Sequence, residues 1–370
     1  MLINHPGTWQ QFQFRPDNKG LNVMEMKSKY LHEQYLFEAE LFNLQQQQQQ
    51  NMFMNGGGGG PTPSSAPTPP SYTTELRLTF NDNLAAVQAD FSANPSLLAT
   101  WNAKFPNANF ETISIDQSTP SSPTITLKGN AENVGRIADR AFVNKTTIST
   151  LRDVNANCII DTAGTESFAG SSIVEVDLGA ITTIDSVAFN QCASLTSVAM
   201  RSLTGFSGGA GTNAASAFNS CTSLTTVSFD SLQRSSPYTF YNCSNLTDLT
   251  GFPVLTRADT YSFAFSGLTD LTSNILTTID QNAFYRCNGL RSIYLGNTDP
   301  ISVGKNAFEL CSQLDSIDAD GDLIFGGDDV FLGVADDGVA NFTQDQENEE
   351  NLNNLSYLFN TKNWEINYVN

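Results

Sequence analysis

The chain has 370 residues, 40% hydrophobic and 15% charged, with 38 acidic against 18 basic side chains and a formal net charge of -20. That balance describes a folded acidic protein, and a sequence pI near 4.2 with no basic stripe argues against nucleic acid as a partner. No apolar run is long enough for a membrane span, and both histidines, His5 and His32, lie near the N-terminus, so a Ser-His-Asp or Cys-His arrangement further along the chain is excluded.

In chain order, residues 1–21 are polar with Trp9, Phe12 and Phe14 interspersed, which reads as an extended aromatic arm. The first residues lack the basic segment and apolar core of a signal peptide, so the chain is expected to stay where it is made unless carried away on a larger particle. Asn22 with Glu25 three later is a capping-box start, and residues 23–44 continue without Gly or Pro, predicting a helix within 22–55 that ends in a Gln-rich tail. Tyr30, Phe37, Leu41 and Leu44 form one apolar stripe, and Met24, Leu31, Tyr35 and Phe42 a second. A lone helix cannot cover both stripes, so it needs a partner: copies of itself in a homo-oligomeric bundle or a groove on another protein, the alternative being this chain's own solenoid. Residues 56–71, a glycine run followed by Pro, Thr and Ser, are a flexible joint with a semi-stiff spacer. A small α/β region at 72–132 follows. It has alternating strands at 75–80, 111–115 and 124–127 and a helical stretch at 83–105 broken at Pro95, and it is expected to cap what comes next.

What comes next is a repeat at 133–335. Phe189 is followed by Cys192, Leu195 and Val198; Phe218, Phe240, Phe284 and Phe308 each have a Cys three on, a Leu six on and a branched apolar residue nine on. Looser copies start at Phe142, Phe168 and Phe263. A period of about 20 to 30 residues means a solenoid, because units this small bury their apolar faces only by stacking. The period-two alternation at the end of each unit predicts one short strand per coil, and Ile184, Ile279 and Val303, five before their Phe, supply a second inward point. Five of the six cysteines share one rung of this ladder and are expected buried and reduced, with Cys158 off it. The tail, 336–370, belongs to a stretch rich in Asp and Glu and is expected to close the far end, by a short helix at 352–359 and a strand at 364–368.

The Phe-x-x-Cys-x-x-Leu-x-x-Ile units resemble the BspA-like branch of leucine-rich repeats. That resemblance implies an α/β solenoid with small capping regions and a non-enzymatic surface or adhesion role. No cofactor or metal is expected: Gly209-Ala210-Gly211 lacks strand-helix context, and the Asp318–Asp322 cluster has Leu323 where a calcium loop needs Gly. Eight and ten residues past each Phe, side chains should face outward, and Thr226, Asp248, Ser292 and Tyr294 are the candidate ligand-binding residues of that face. The helix at 27–37, the Gly/Pro-rich linker and the strand at 76–80 leading into repeats are also similar to virion proteins of tailed bacteriophages. This resemblance implies a multicopy fibre or decoration subunit, assembled in the host cytoplasm and carried on the virion surface. Trp9, Phe12, Phe14, Tyr30, Leu31, Phe37, Leu41 and Phe42 would anchor it to other virion proteins, and the solenoid would meet a host surface glycan or protein. The alternative is a bacterial cell-surface adhesin or interaction scaffold.

Overall fold

The computed structural model describes residues 74–130, 135–154, 160–207, 216–343 and 349–369. The predicted arm, helix and linker lie outside them, with all eight anchoring residues, as do Cys158 and Gly209-Ala210-Gly211.

Strand Thr74–Phe80 alternates buried and open residues and pairs antiparallel with Thr124–Gly129 on one side and Ile148–Asp153 on the other. The second pairing ties this region to the first coil. Asn83 caps the helix Leu84–Phe91 by accepting from the Ala85 and Ala86 amides at 3.1 Å. Past Pro95, the short helix Leu98–Asn102 brings in Trp101. Phe91 and Phe105 then set their rings 6.0 and 5.8 Å from Phe142, covering the first aromatic rung of the solenoid.

From Phe142 on, the chain winds through coils that each present three sides. A front strand such as Ser197–Ala199 follows the Phe by eight residues; a corner and a rear strand such as Gly205–Ser207 come next; a tight turn around the next Phe closes the coil. Both walls are parallel ladders. The front wall is a seven-stranded sheet that includes the N-terminal strands and then a five-stranded sheet; the rear wall is two four-stranded sheets. The expectation of an α/β solenoid with one strand per coil is therefore corrected to a β-solenoid with two strands in most coils and little helix. Ile184, Ile279 and Val303, the predicted second inward points, are the buried residues of rear strands.

Helix is excluded from the third side by the turn's backbone. The residues two before and two after each Phe have positive φ in every coil, as in Val187 (52°) and Gln191 (58°) or Asn282 (56°) and Arg286 (55°). Left-handed backbone costs a non-glycine residue roughly 1–2 kcal/mol. The return is a third ladder. Alternating hands turn successive amides the same way, so Phe189 and Gln191 both donate to the next coil, at Ala217 and Asn219 (2.8 Å each).

Inside that turn, nine phenylalanines from Phe142 to Phe331 form one stack, with neighbouring ring centroids 4.8 to 5.9 Å apart and planes within 12° of parallel. Five buried thiols line the stack, each donating to the carbonyl of the Phe in the preceding coil, from Cys192 to Phe168 (3.0 Å) through Cys311 to Phe284 (3.2 Å). Ser171 and Ser266 occupy the same rung in coils without Cys and touch the neighbouring sulfur. Burial pushes the Cys243 thiol up to about 12, so that rung stays protonated.

Among the described residues the rear wall breaks at the coil of Phe218 and the front wall at that of Phe240. On the front, Asp248 accepts from the Thr250 amide (2.9 Å) and hydroxyl (2.5 Å), an Asx turn that competes with strand pairing. Gly251 is required there, since a Cβ would stand 2.0 Å from the Val227 carbonyl. On the rear, only a single bridge links Arg234 to Arg257, and ions span the gap. Arg234 forks onto buried Asp259 at 2.6 to 2.9 Å, and Arg257 reaches from Asp259 (3.2 Å) to Asp280 (2.7 Å). The phenylalanine stack passes through both breaks.

The last coil has no following coil to receive its amides or donate to its carbonyls. Helix Glu349–Ser356 supplies side-chain amides instead: Asn351 accepts from the Phe325 N–H (3.1 Å) and donates to the Leu323 carbonyl (2.8 Å). One turn on, Asn354 accepts from Val330 N–H (3.0 Å) and donates to the Gly327 carbonyl (3.0 Å), and the Tyr357 hydroxyl accepts from Gly333 N–H (3.0 Å). Strand Glu365–Val369 then extends the front sheet alongside Val339–Thr343, with Trp364 buried beneath.

Candidate ligand-binding face

The front wall displays every other side chain of its strands, since the intervening ones (Val176, Val198, Val227, Leu271, Ile293, Ile317) are buried. Its two sheets differ in charge. On the first, Glu175 pairs with Arg152 (2.5 Å) and Asp177 with Arg201 (3.1 Å), so that acids and bases balance. On the second, parallel register builds two outward rows: Asp270, Ser292, Ser316, Val339 and Glu365, and beside it Thr272, Tyr294, Asp318, Asn341 and Asn367. Neither row holds a base.

Hydrogen bonds run along these rows. Ser292 donates to Asp270 at 2.5 Å, Tyr294 to Asp320 at 2.9 Å, Asn341 to Asp318, and Asn367 to Asn341 at 3.1 Å. Tyr294 is 39% exposed despite its bond. The bond to Asp320, then the nearby Asp320 and Asp318 charges, hold its phenol above the usual range. The face thus offers carboxylate acceptors, small hydroxyls and one aromatic anchor, fixed by mutual contacts before any partner arrives.

The four candidate residues do not form one cluster. Thr226 lies on the last strand of the first front sheet and is exposed; Asp248 lies in the break, where its carboxylate is occupied by Thr250. Ser292 and Tyr294 share a strand of the second sheet and belong to the same polar rows. Asp270, Asp318, Asp320 and Asn341 complete that group and are not among the four; Asp318 follows Phe308 by ten and is outward by spacing alone, whereas the register that brings the others beside it is set by the winding. Two of the Asp318–Asp322 carboxylates are engaged by Tyr294 and Asn341, and among the described residues no group of three His, Cys, Asp or Glu is placed to hold a metal ion.

The family described as BspA type leucine rich repeat region matches residues 105–210 and 211–336, in six copies. A crystal structure of a leucine-rich repeat protein from Bacteroides ovatus is similar at 16% identity, covering 57% of this chain and 70% of that one, with a TM-score of 0.30. No curated protein matches the chain.

Proposed function

We propose, from the premise that the chain belongs to the BspA-type leucine-rich repeat family, that it is a display scaffold whose solenoid adheres to ligands on a host cell surface. The repeat family is typically non-enzymatic, and the fold points to a protein-interaction or adhesion role. The observation that carries the reading is the pair of outward rows on the second front sheet, where an exposed Tyr294 stands among aligned hydroxyls and carboxylates. An aromatic ring with a polar tip on a rigid, pre-bonded surface is the usual anchor of a binding face.

The finer reading is a virion fibre or decoration subunit, docked on capsid or tail through Trp9, Phe12, Phe14, Tyr30, Leu31, Phe37, Leu41 and Phe42 and facing a host glycan or protein. Its support lies in the sequence. A segment with two apolar stripes is separated from the repeats by a Gly/Pro-rich joint, the layout of an anchor and a head, and it is similar to tailed-phage virion proteins. Many copies on one particle turn weak contacts into avidity. The family match taken alone favours the second reading, a cell-surface adhesin or interaction scaffold. Mass spectrometry of purified particles, with the full chain and with residues 1–55 deleted, separates the two. The full chain should appear in particles and the truncated one should be folded but absent; incorporation of both would sink the anchoring role, and recovery on bacterial surfaces alone would select the adhesin.

A further inference from the structure

The outer side of the Phe turns carries a second aromatic group that the repeat does not need. Tyr238 and Tyr261, two before their Phe, stack with centroids 5.0 Å apart; Tyr241 lies 5.1 Å from Phe265, which lies 5.6 Å from Tyr285. Contacts of Tyr261 with Tyr241 (6.5 Å) and Tyr285 (6.2 Å) join these five rings into one cluster. All are half-buried, so each keeps an edge in solvent. The cluster occupies the coils of Phe240, Phe263 and Phe284. In the coil of Phe189 the corresponding positions hold Val187, Asn190 and Gln191, and the turn closes in the same way. Tyr238, Tyr261 and Phe265 also take positive φ of 54° to 58°, a conformation bulky residues rarely adopt. Three aromatics held in strained backbone without joining the buried stack call for another reason.

Two observations identify the chemistry. Arg286 lies over the cluster's end, 5.5 Å from the Tyr285 centroid and 5.8 Å from that of Phe265. Seven of the nine arginines among the described residues are in ion pairs, and Arg286 has none there although acids outnumber bases by 38 to 18. Its guanidinium is oriented by stacking, with its N–H fork left for a carboxylate. In addition, none of the four tyrosine hydroxyls has a hydrogen-bond partner among the described residues. Burial, then the proximity of Tyr238, Tyr285, Glu309 and Tyr241, raises the Tyr261 phenol.

We propose that this aromatic face binds a saccharide carrying a carboxylate: Arg286 takes the carboxylate, and the tyrosine hydroxyls and ring edges take the sugar's hydroxyls and C–H surface. A polyanion is opposed by the net charge of -20. A protein partner, whose interfaces also favour Tyr and Arg, would leave acidic sugars unbound in the test below; the unpartnered hydroxyls favour the sugar. The site lies on the turn side and is separate from the front-sheet rows, so it goes beyond the adhesion reading and does not depend on it.

The test is a glycan array probed with the full chain, carrying sialic-acid- and glucuronic-acid-terminated oligosaccharides beside their neutral parents, followed by calorimetric titration of the best acidic hit. The acidic sugars should bind, with the neutral parents and Arg286→Gln each weaker by on the order of tenfold, as for loss of one charge-assisted bond. Tyr241→Phe with Tyr285→Phe, which keep the rings, should weaken binding several-fold, and Tyr294→Phe should leave it unchanged. Absence of acidic-sugar binding, equal binding of neutral parents, or full binding by Arg286→Gln would overturn the proposal. Loss through Tyr294→Phe alone would also overturn it while leaving adhesion by the front sheet intact.

Discussion

Phe284 and Tyr285 are adjacent in the chain and belong to two different aromatic systems. Phe284 is a rung of a stack that runs from Phe142 to Phe331, fully buried and repeated in every coil. Tyr285 belongs to a cluster on the other side of the same turn, confined to three coils and open to solvent. The difference separates what recurs from what is local. A feature present in every coil is explained by stacking, because each unit depends on its neighbours for a core. A feature found in three coils, at backbone positions unfavourable to it, has no such explanation and is where a binding role is expected.

Substitutions on either side of that division should differ in size. Phe240→Ala removes a ring stacked between Phe218 and Phe263 and should cost about 3–5 kcal/mol, read by chemical denaturation. A loss below about 1 kcal/mol would mean that the stack contributes little. At the end of the repetition, Asn351→Ala and Asn354→Ala should each cost about 1–3 kcal/mol by leaving buried amides unpaired, with faster hydrogen exchange at Phe325 and Val330. Next in size is an alkaline effect at Cys243. Its folded pKa of about 12 lies above the ordinary 9.0, so the folded state keeps a proton that the unfolded chain releases. The stability from this thiol is therefore full below pH 9 and declines as pH rises toward 12, by up to about 1.4 kcal/mol per pH unit. Cys243→Ser should flatten the slope measured from pH 8 to 10.5. Smallest of all, Tyr285→Ala on the open side should shift stability by less than about 1 kcal/mol.

The sequence makes the inward residues legible because their types are restricted: a stack accepts Phe, a narrow rung accepts Cys or Ser, and the spacing follows from the coil. Phe331 is missed as the ninth rung because Val334 stands where Cys is expected and Asp337 where Leu is. The rear strands are harder to see since their inward residue varies from Ile184 to Ser235 to Ala258. The left-handed turn positions are not legible. They hold Arg140, Val187 and Leu310 as readily as Asn144 or Asn306, so backbone pairing between coils, and not residue preference, selects the conformation. For the same reason the Tyr cluster escapes notice: its members sit at three different offsets from Phe and meet only once the turn geometry brings them together. Ser292, Tyr294 and Asp318 are readable as outward from strand parity, whereas Asp270 and Asn341 join them by register between coils.

The walls break at the coils of Phe218 and Phe240 while the inner stack does not, and this makes the central claim, that the phenylalanine and cysteine ladder unites the solenoid, directly measurable. Pulsed thiol labelling of the full chain across a denaturant series, read by mass spectrometry at Cys192, Cys221, Cys243, Cys287 and Cys311, reports on both sides of the break. A ladder that holds the molecule together predicts one midpoint shared by all five thiols. Separate midpoints for Cys192, Cys221 and Cys243 against Cys287 and Cys311 would contradict it.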